Sequence, residues 1–390
     1  MFLAQPFRAQ PMPLWIISIL LHAYVGARIV PALPGGLWPA LTFAAVLGLS
    51  AAAMPMSLLA RRLRAQPWSD WLAWAGALAM GLFSSLFVLT LVRDLVLLLA
   101  AIAESIVPGL ALPELAPLSA ASVVLLGALV TMIGFVNARR TAAVVAIDIP
   151  ITDLPAALHG FTIAQISDIH VGPTIKRAYM HCIVEAVNRL GADMVAVTGD
   201  LVDGSVQELA SHVAPLASLT SRHGTFFVTG NHEYYSGAQA WVVELRRLGV
   251  QVLMNEHVVL RHDAARLLVA GVTDYGAHHF IEAHRSDPQR SLHGAPVDTP
   301  LVKVLLAHQP RSATAASAAG FDLQLSGHTH GGQFLPWNLF VRLQQPFTAG
   351  LNRLQQLWVY TSRGTGYWGP PKRFGAPSEI THLRLVAAPG

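Results

Sequence analysis

Two hydrophobic patterns divide this chain. Up to about residue 140, apolar residues run almost unbroken in four stretches, Leu14 to Val30, Leu37 to Ala60, Trp71 to Val92 and Leu118 to Val136. Each falls in the range of ~17–25 apolar residues that carries a helix across a bilayer. A helix of a soluble core keeps a polar face, and these have almost none, so they predict membrane spans. From Phe161 onward the period changes. Strand-like runs at 161–167, 193–198 and 225–229 alternate with helical runs at 175–190, 206–220 and 238–248, which predicts βαβ units and parallel strands. Short runs at 250–253, 258–260 and 266–272 predict a more antiparallel set, and strands at 302–307, 322–326, 357–361 and 381–386 complete a second half. The expected architecture is an α-helical transmembrane region, residues 1–140, followed by an α/β domain, residues 141–390, built as a two-sheet β-sandwich flanked by helices.

Basic residues orient the spans. Arg61, Arg62 and Arg64 separate spans two and three, and Arg139 and Arg140 close span four. If both clusters are cytoplasmic, four spans place the second domain in the cytoplasm. The stretch Leu95 to Leu112 is apolar enough to be a fifth span, which would move the domain outside. That arrangement would put Glu104 near mid-depth, where an acid is costly, so four spans are preferred. Arg93 and Asp94 read as a helix-end ion pair.

Charge sharpens the division. Residues 1–140 hold 8 Lys/Arg against 4 Asp/Glu, so the formal charge of +4 resides there and the second domain is balanced, with no electrostatic case for nucleic acid. The single cysteine, Cys182, excludes an intrachain disulfide. Of 17 histidines, 16 lie in the last 250 residues.

Five polar motifs follow strand-like runs in that domain: SDIH at Asp168 and His170, TGD at Asp200, GNHE from Gly230 to Glu233, AHQP at His308, and GHTH with His328 and His330. Open α/β sheets place their sites at the carboxyl ends of strands, so the motifs are expected to converge. A carboxylate two residues from an imidazole suits a first-row divalent ion. Asp200 can bridge two ions, and Asn231 adds a neutral amide oxygen that limits negative charge where phosphate must enter. His308, His328 and His330 arrive from the second half. Two ions about 3.5–4 Å apart would let a bridging hydroxide attack phosphorus in line, and His232, beside a ligand, is placed to protonate the leaving oxygen. The pattern predicts metal-assisted phosphoester hydrolysis.

The set DxH, GD, GNH(E), H and GHxH resembles the calcineurin-like metallophosphoesterase superfamily over about residues 145–388. That resemblance implies one metal held by Asp168, His170, Asp200 and His330, and another by Asp200, Asn231, His308 and His328, with His232 as general acid. The ligands permit Mn, Fe or Zn, and also Co. The fuller strings SDIHVG, VTGDLVDG, TGNHEYY and GHTHGGQ are similar to a bacterial branch of membrane-associated phosphodiesterases, which implies a lipid or lipid-linked phosphate substrate and residence in a bacterial inner (plasma) membrane. The joined membrane half also resembles transmembrane proteins with a metallophosphoesterase domain. A non-catalytic scaffold of the same fold would be expected to have lost ligands, and a transporter or sensor would be expected to carry broken or charge-lined spans.

Outside the motifs, Asp203 reads as a helix cap or a group orienting a ligand, and Asp274 as a turn carboxylate. Arg363 and Arg373, in Gly/Pro-rich loops, are candidates to hold a second phosphate bidentately. The segment Phe334 to Phe347 reads as loop packing or as a lipid-facing lip bearing Trp337 and Phe340.

Overall fold

The computed structural model describes residues 11–60, 66–107, 113–296 and 301–389. The basic residues Arg61, Arg62 and Arg64 lie outside the described residues, as does the 108–112 end of the alternative fifth span. The chain forms two compact units, Met1–Val136 with Gly369–Lys372, and Asn137–Trp368 with Arg373–Gly390.

Helices α1 (Pro11–Ile29), α2 (Leu37–Ala60), α3 (Trp68–Ile106) and α4 (Leu115–Arg139) are the four described helices long and apolar enough to cross a membrane. The stretch expected as a possible fifth span continues α3 without a turn up to Ile106. The resulting 39-residue helix, about 58 Å at 1.5 Å per residue, is nearly twice the ~30 Å hydrocarbon thickness. Small residues let helices approach: a Cβ on Gly76 would lie 2.8 Å from the Ala53 carbonyl of α2. Polar groups find partners inside the unit. His22 stacks on Phe83 at 4.0 Å and meets Ser50 Oγ at 2.9 Å. Asp94 pairs mainly with Arg28 of α1 at 2.9 Å and accepts from Tyr24 Oη at 2.7 Å. Arg93, 3.8 Å from Asp94, turns instead to the Arg28 and Ala116 carbonyls and Ser119. The charges thus tie α1, α3 and α4 together, a wider role than a local helix-end pair.

The second unit starts four residues before the expected boundary because the last turn of α4 is part of it. Ala138 is fully buried in its core, and Arg139 Nη1 donates to the Thr174 carbonyl at 3.0 Å and Tyr367 Oη at 2.9 Å. Twelve strands follow: β1 (Ala143–Ile151), β2 (Thr162–Ile166), β3 (Met194–Val197), β4 (Thr225–Phe227), β5 (Gln251–Val252), β6 (Glu256–His262), β7 (Ala265–Gly271), β8 (Val302–Leu306), β9 (Leu323–Ser326), β10 (Gly350–Leu354), β11 (Leu357–Thr361) and β12 (Glu379–Ala387). They make two six-stranded sheets, ordered β1-β12-β2-β3-β4-β5 and β10-β11-β9-β8-β7-β6. The antiparallel character expected after residue 250 is confined in the second sheet to the edge hairpins β6–β7 and β10–β11, while β7, β8, β9 and β11 run parallel. β5 joins the first sheet, parallel to β4.

Both faces of each central strand are buried, and the period of two decides which core each side chain enters. Ile163, Met194 and Ala196 point between the sheets to meet Val269, Val304 and Leu325. Ala164, Ile166, Val195 and Val197 point outward against α5 (Arg177–Asn188), α6 (Val206–Val213) and α8 (Ala238–Arg247), the last two flanking the short α7 (Asn231–Ser236). The outer face of the second sheet packs on α9 (Pro288–Ser291) and α10 (Ala313–Ala318). The result is the expected sandwich flanked by helices, with the carboxyl ends of β2, β3, β4, β8 and β9 all leading into polar loops.

Candidate metal centre

Each motif occupies the loop directly after one of those strands: Asp168 and His170 after β2, Asp200 after β3, Asn231 after β4 at the start of α7, His308 after β8, and His328 and His330 after β9. Five of the seven residues have left-handed backbones, with φ of 53° at Asp168, 57° at His170, 50° at Asp200, 69° at His328 and 51° at His330. Such conformations are uncommon for residues with a Cβ and cost of order 1–3 kcal/mol each. They turn the chain sharply where it leaves each strand and aim the side chains inward. Two glycines let the loops close on one another: a Cβ on Gly327 would sit 2.1 Å from Asp168 Oδ2, and one on Gly230 2.2 Å from Asp200 Oδ1.

The side chains gather into overlapping sets. Ligand atoms of Asp168, His170 and His330 lie within 4.8 Å of one another, as do those of His170, Asp200 and His232 and those of Asp200, His308 and His328. His170 Nε2 faces His330 Nε2 at 3.0 Å, and His308 Nε2 faces His328 Nδ1 at 3.2 Å and Asp200 Oδ2 at 3.2 Å. Asp200 Oδ2 is also 3.9 Å from His170 Nε2, so one carboxylate oxygen reaches both sets. His308 Nδ1 donates to the Thr198 carbonyl at 2.8 Å, which in the neutral ring leaves the lone pair on Nε2.

This donor set fits two divalent ions. Nitrogen atoms 3.0–3.2 Å apart, with no room for ordinary packing between them, suit donors converging on a cation. Asn231 Oδ1 supplies an independent observation: it is buried without a hydrogen-bond partner. A buried amide oxygen left unpaired costs about 1–3 kcal/mol, and a cation at that point would satisfy it.

The surrounding groups hold the cluster in place. Asp168 accepts the His328 N–H at 2.9 Å, and Asp200 Oδ1 accepts that of His232 at 2.8 Å. Burial raises the Asp168 carboxyl, and nearby Asp200 adds to the rise. Burial would likewise raise Asp200, yet contact with His308, His232 and His170 holds it well below the usual carboxylate range. His308 is raised well above an ordinary histidine by Asp200, Asp168 and Asp274, against its own burial. Burial and the charge of His308 lower His328 to about 3, and burial beside Arg373 lowers His330 well below the usual range, so both are held as neutral imidazoles.

Glu233, the motif residue that sequence left without a task, is fully buried and accepts the backbone N–H groups of Gly230 at 2.6 Å, Leu201 at 2.7 Å, Asp200 at 3.0 Å and Val202 at 3.3 Å. It clasps the Asp200 loop to the Asn231 loop. Asp203 is no helix cap, since Ser205 and Glu208 form the capping box of α6. Its Oδ1 contacts His232 Nδ1 at 2.5 Å and His170 Nδ1 at 3.2 Å. Burial opposes the protonated form of His232, but Asp203 and Asp200 outweigh it and raise its pKa. Of the two readings the sequence left open for Asp203, the structure takes the one in which it orients a ligand. Asp274 is a turn carboxylate, accepting from Gly276 N at 2.7 Å and Gln309 Nε2 at 2.9 Å.

The expectation for Arg373 is overturned. Its side chain is fully buried and donates to the carbonyls of Gly366, His330 and Arg363 and to His330 Nδ1 at 3.0 Å, so it braces the loop around a ligand and offers no fork to a phosphate. Arg363 is half-buried and pairs through Nη1 with Glu379 Oε2 at 2.7 Å. Trp368, outside every motif, and Tyr235, at the end of TGNHEYY with no role assigned to it, place their rings 5.7 and 5.2 Å from that of His232.

Comparison with known proteins agrees with this geometry. The model for the calcineurin-like phosphoesterase family matches residues 161–332. A protein of Bos taurus named transmembrane protein with metallophosphoesterase domain is 41% identical over 278 residues, covering 68% of this chain and 62% of that one. Its namesake from Danio rerio is 38% identical over 269 residues, covering 67% and 61%. An uncharacterized metallophosphoesterase of Aquifex aeolicus is 34% identical over 225 residues, covering 57% of this chain and 84% of the relative. The chain belongs to the calcineurin-like metallophosphoesterase family, a class of metal-dependent phosphoester hydrolases. It is a membrane protein. It spans about three-fifths of the length of the first two relatives.

Proposed function

We propose that this protein is a membrane-anchored, two-metal hydrolase that cleaves a phosphodiester or pyrophosphate bond in a lipid or lipid-linked substrate. The observation that carries this reading is the pair of ligand clusters, Asp168, His170 and His330 with Asp200, His308 and His328, joined by Asp200 Oδ2 3.9 Å from His170 Nε2, together with the unpartnered, buried Asn231 Oδ1. Asp168, His170, Asp200 and His330 would hold one ion, and Asp200, Asn231, His308 and His328 the other. When bound, the ions would supply an activated water and neutralise phosphoryl oxygens. His232 holds a proton for the leaving oxygen, and Asp203 keeps its ring in place and its pKa up. Arg363 remains the arginine candidate for a phosphoryl oxygen. A lipid-linked substrate is favoured by the tie between the catalytic unit and a chain bearing four membrane-length helices.

The test is a panel assay of full-length protein in detergent with Mn2+, comparing bis(p-nitrophenyl) phosphate, a phospholipid and a nucleotide-lipid pyrophosphate. Turnover with a preference for a lipid substrate is expected. No turnover of any substrate by protein that has bound metal would overturn the hydrolase reading and favour a scaffold. For sidedness, Arg139 and Arg140 at the end of α4 favour a cytoplasmic catalytic unit. Cys182 is exposed and is the only cysteine, so a membrane-impermeant maleimide should label it only after permeabilisation. Labelling of intact cells would reverse the orientation.

A further inference from the structure

The rim of the metal centre is apolar on one side. Tyr235 and Trp368 touch the His232 ring, and Phe280 meets Tyr235 at 5.5 Å; all three are more than half exposed, at 62%, 51% and 52%. The Gln333 amide grips the Trp368 backbone both ways, Nε2 to the carbonyl at 2.9 Å and Oε1 from the N–H at 2.8 Å. Gln333 leads directly into the segment that carries α11 (Asn338–Val341), where Leu335, Leu339, Phe340 and Leu343 are exposed, Leu343 at 81%. Exposed apolar side chains therefore stand beside His232 at Tyr235 and Trp368 and again along residues 335–343, a segment joined to Trp368 through Gln333, with Arg342 as its one charged residue; together they form an apolar track.

Exposed apolar surface of this kind marks a binding face. Hydrocarbon is the covering medium this chain already uses, because the catalytic unit begins inside the last turn of a membrane-length helix. The direction of the track matters as much as its polarity. In-line displacement puts the attacking water and the leaving oxygen on opposite faces of phosphorus, and the proton donor belongs on the leaving side. The exposed Tyr235 and Trp368 rings of the track lie against the proton donor.

We infer that the alkyl-bearing part of the substrate is the leaving group. This rests on the hydrolase reading above, with His232 as the proton donor. A water oxygen forms the new bond to phosphorus and the bond from phosphorus to the lipid oxygen breaks. The electron pair of that bond stays on the lipid oxygen, which takes the proton from His232. One phosphodiester and one water become a lipid alcohol and a soluble phosphomonoester. The opposite polarity would leave the phosphate on the lipid and release a soluble alcohol.

The experiment uses full-length, Mn2+-loaded protein in mixed micelles with phosphatidylglycerol, and bis(p-nitrophenyl) phosphate as a soluble control. The expected products are diacylglycerol and glycerol phosphate, and phosphatidate with glycerol would overturn the inference. The double substitution Leu339→Ser, Leu343→Ser is expected to raise KM for phosphatidylglycerol at least ~5-fold, as removal of a few apolar contacts would, while kcat/KM for the soluble ester stays the same. Equal loss on both substrates, or no loss on either, would count against the track. In metal-free protein, a phosphatidylglycerol with a photoreactive acyl chain should label the 335–343 peptide; labelling confined to α1–α4 would also overturn it. If the soluble ester is cleaved and phosphatidylglycerol is not, the leaving-group assignment alone fails. If neither is cleaved, the hydrolase reading fails with it.

Discussion

The helical unit and the sandwich unit treat polar groups in opposite ways. In α1–α4, Arg93 and Asp94 are neutralised by neighbours: Asp94 by Arg28 and Tyr24, Arg93 by carbonyls and Ser119. In the sandwich, Asn231 Oδ1 is left unpaired, like-charged carboxylates approach each other, and five ligand residues hold strained backbones. A structure that satisfies its polar groups in one half and leaves them poised in the other separates anchoring from chemistry.

The comparison makes graded predictions. Asp200→Ala should have the largest effect, because it removes the carboxylate that reaches both ligand sets. A loss of about 10³-fold or more in kcat/KM is expected, with bound metal below half of wild type by mass spectrometry and unchanged helical circular dichroism. His232→Ala should cost about 10²–10⁴-fold in rate while metal content stays the same. Parallel loss of metal would move His232 from proton donor to ligand. Asp203→Asn should cost about 10–100-fold and move the alkaline limb of the pH–rate profile to lower pH. The sign follows from His232, whose pKa is raised with help from Asp203, so its acid form persists above the ordinary histidine range and the range contracts when the anion is removed. An unmoved limb would assign that titration elsewhere. Asp94→Asn, in the helical unit, should leave turnover within about two-fold and lower stability by roughly 0.6 kcal/mol, as intramembrane hydrogen bonds typically do. Loss of turnover there would break the separation of anchoring from chemistry.

Much of the site was legible because each motif follows a strand, and strand ends are readable from period and length. Asp168, His170, Asp200, His308, His328 and His330 are brought together as their positions suggested, and the Asn231 amide oxygen is buried without a partner. Other roles were not legible. Asp203 read either as a cap, with α6 beginning three residues later, or as a group orienting a ligand, and only the approach of α7 decides for the second by bringing it to His232 and His170. Arg373 looked like a phosphate ligand because Gly and Pro surround it, and only the closure of its loop shows every donor turned inward. Glu233 carried no readable role because its partners are backbone N–H groups, which no sequence pattern displays. The continuity of α3 was hidden for a related reason: Arg93 and Asp94 looked like a break, and cross-helix partners absorb them.

By itself, the sequence determined the apolar spans, the alternation of strands and helices, and the types and order of the ligands. These depend on local period and side-chain chemistry, which are properties of neighbours along the chain. The tertiary structure alone decided which imidazole nitrogen faces inward, which arginine is spent on carbonyls, and that an apolar track starts at the proton donor. Those outcomes depend on contacts between residues far apart in the chain. They are set by how the two sheets bring loops of different strands within a hydrogen bond of each other.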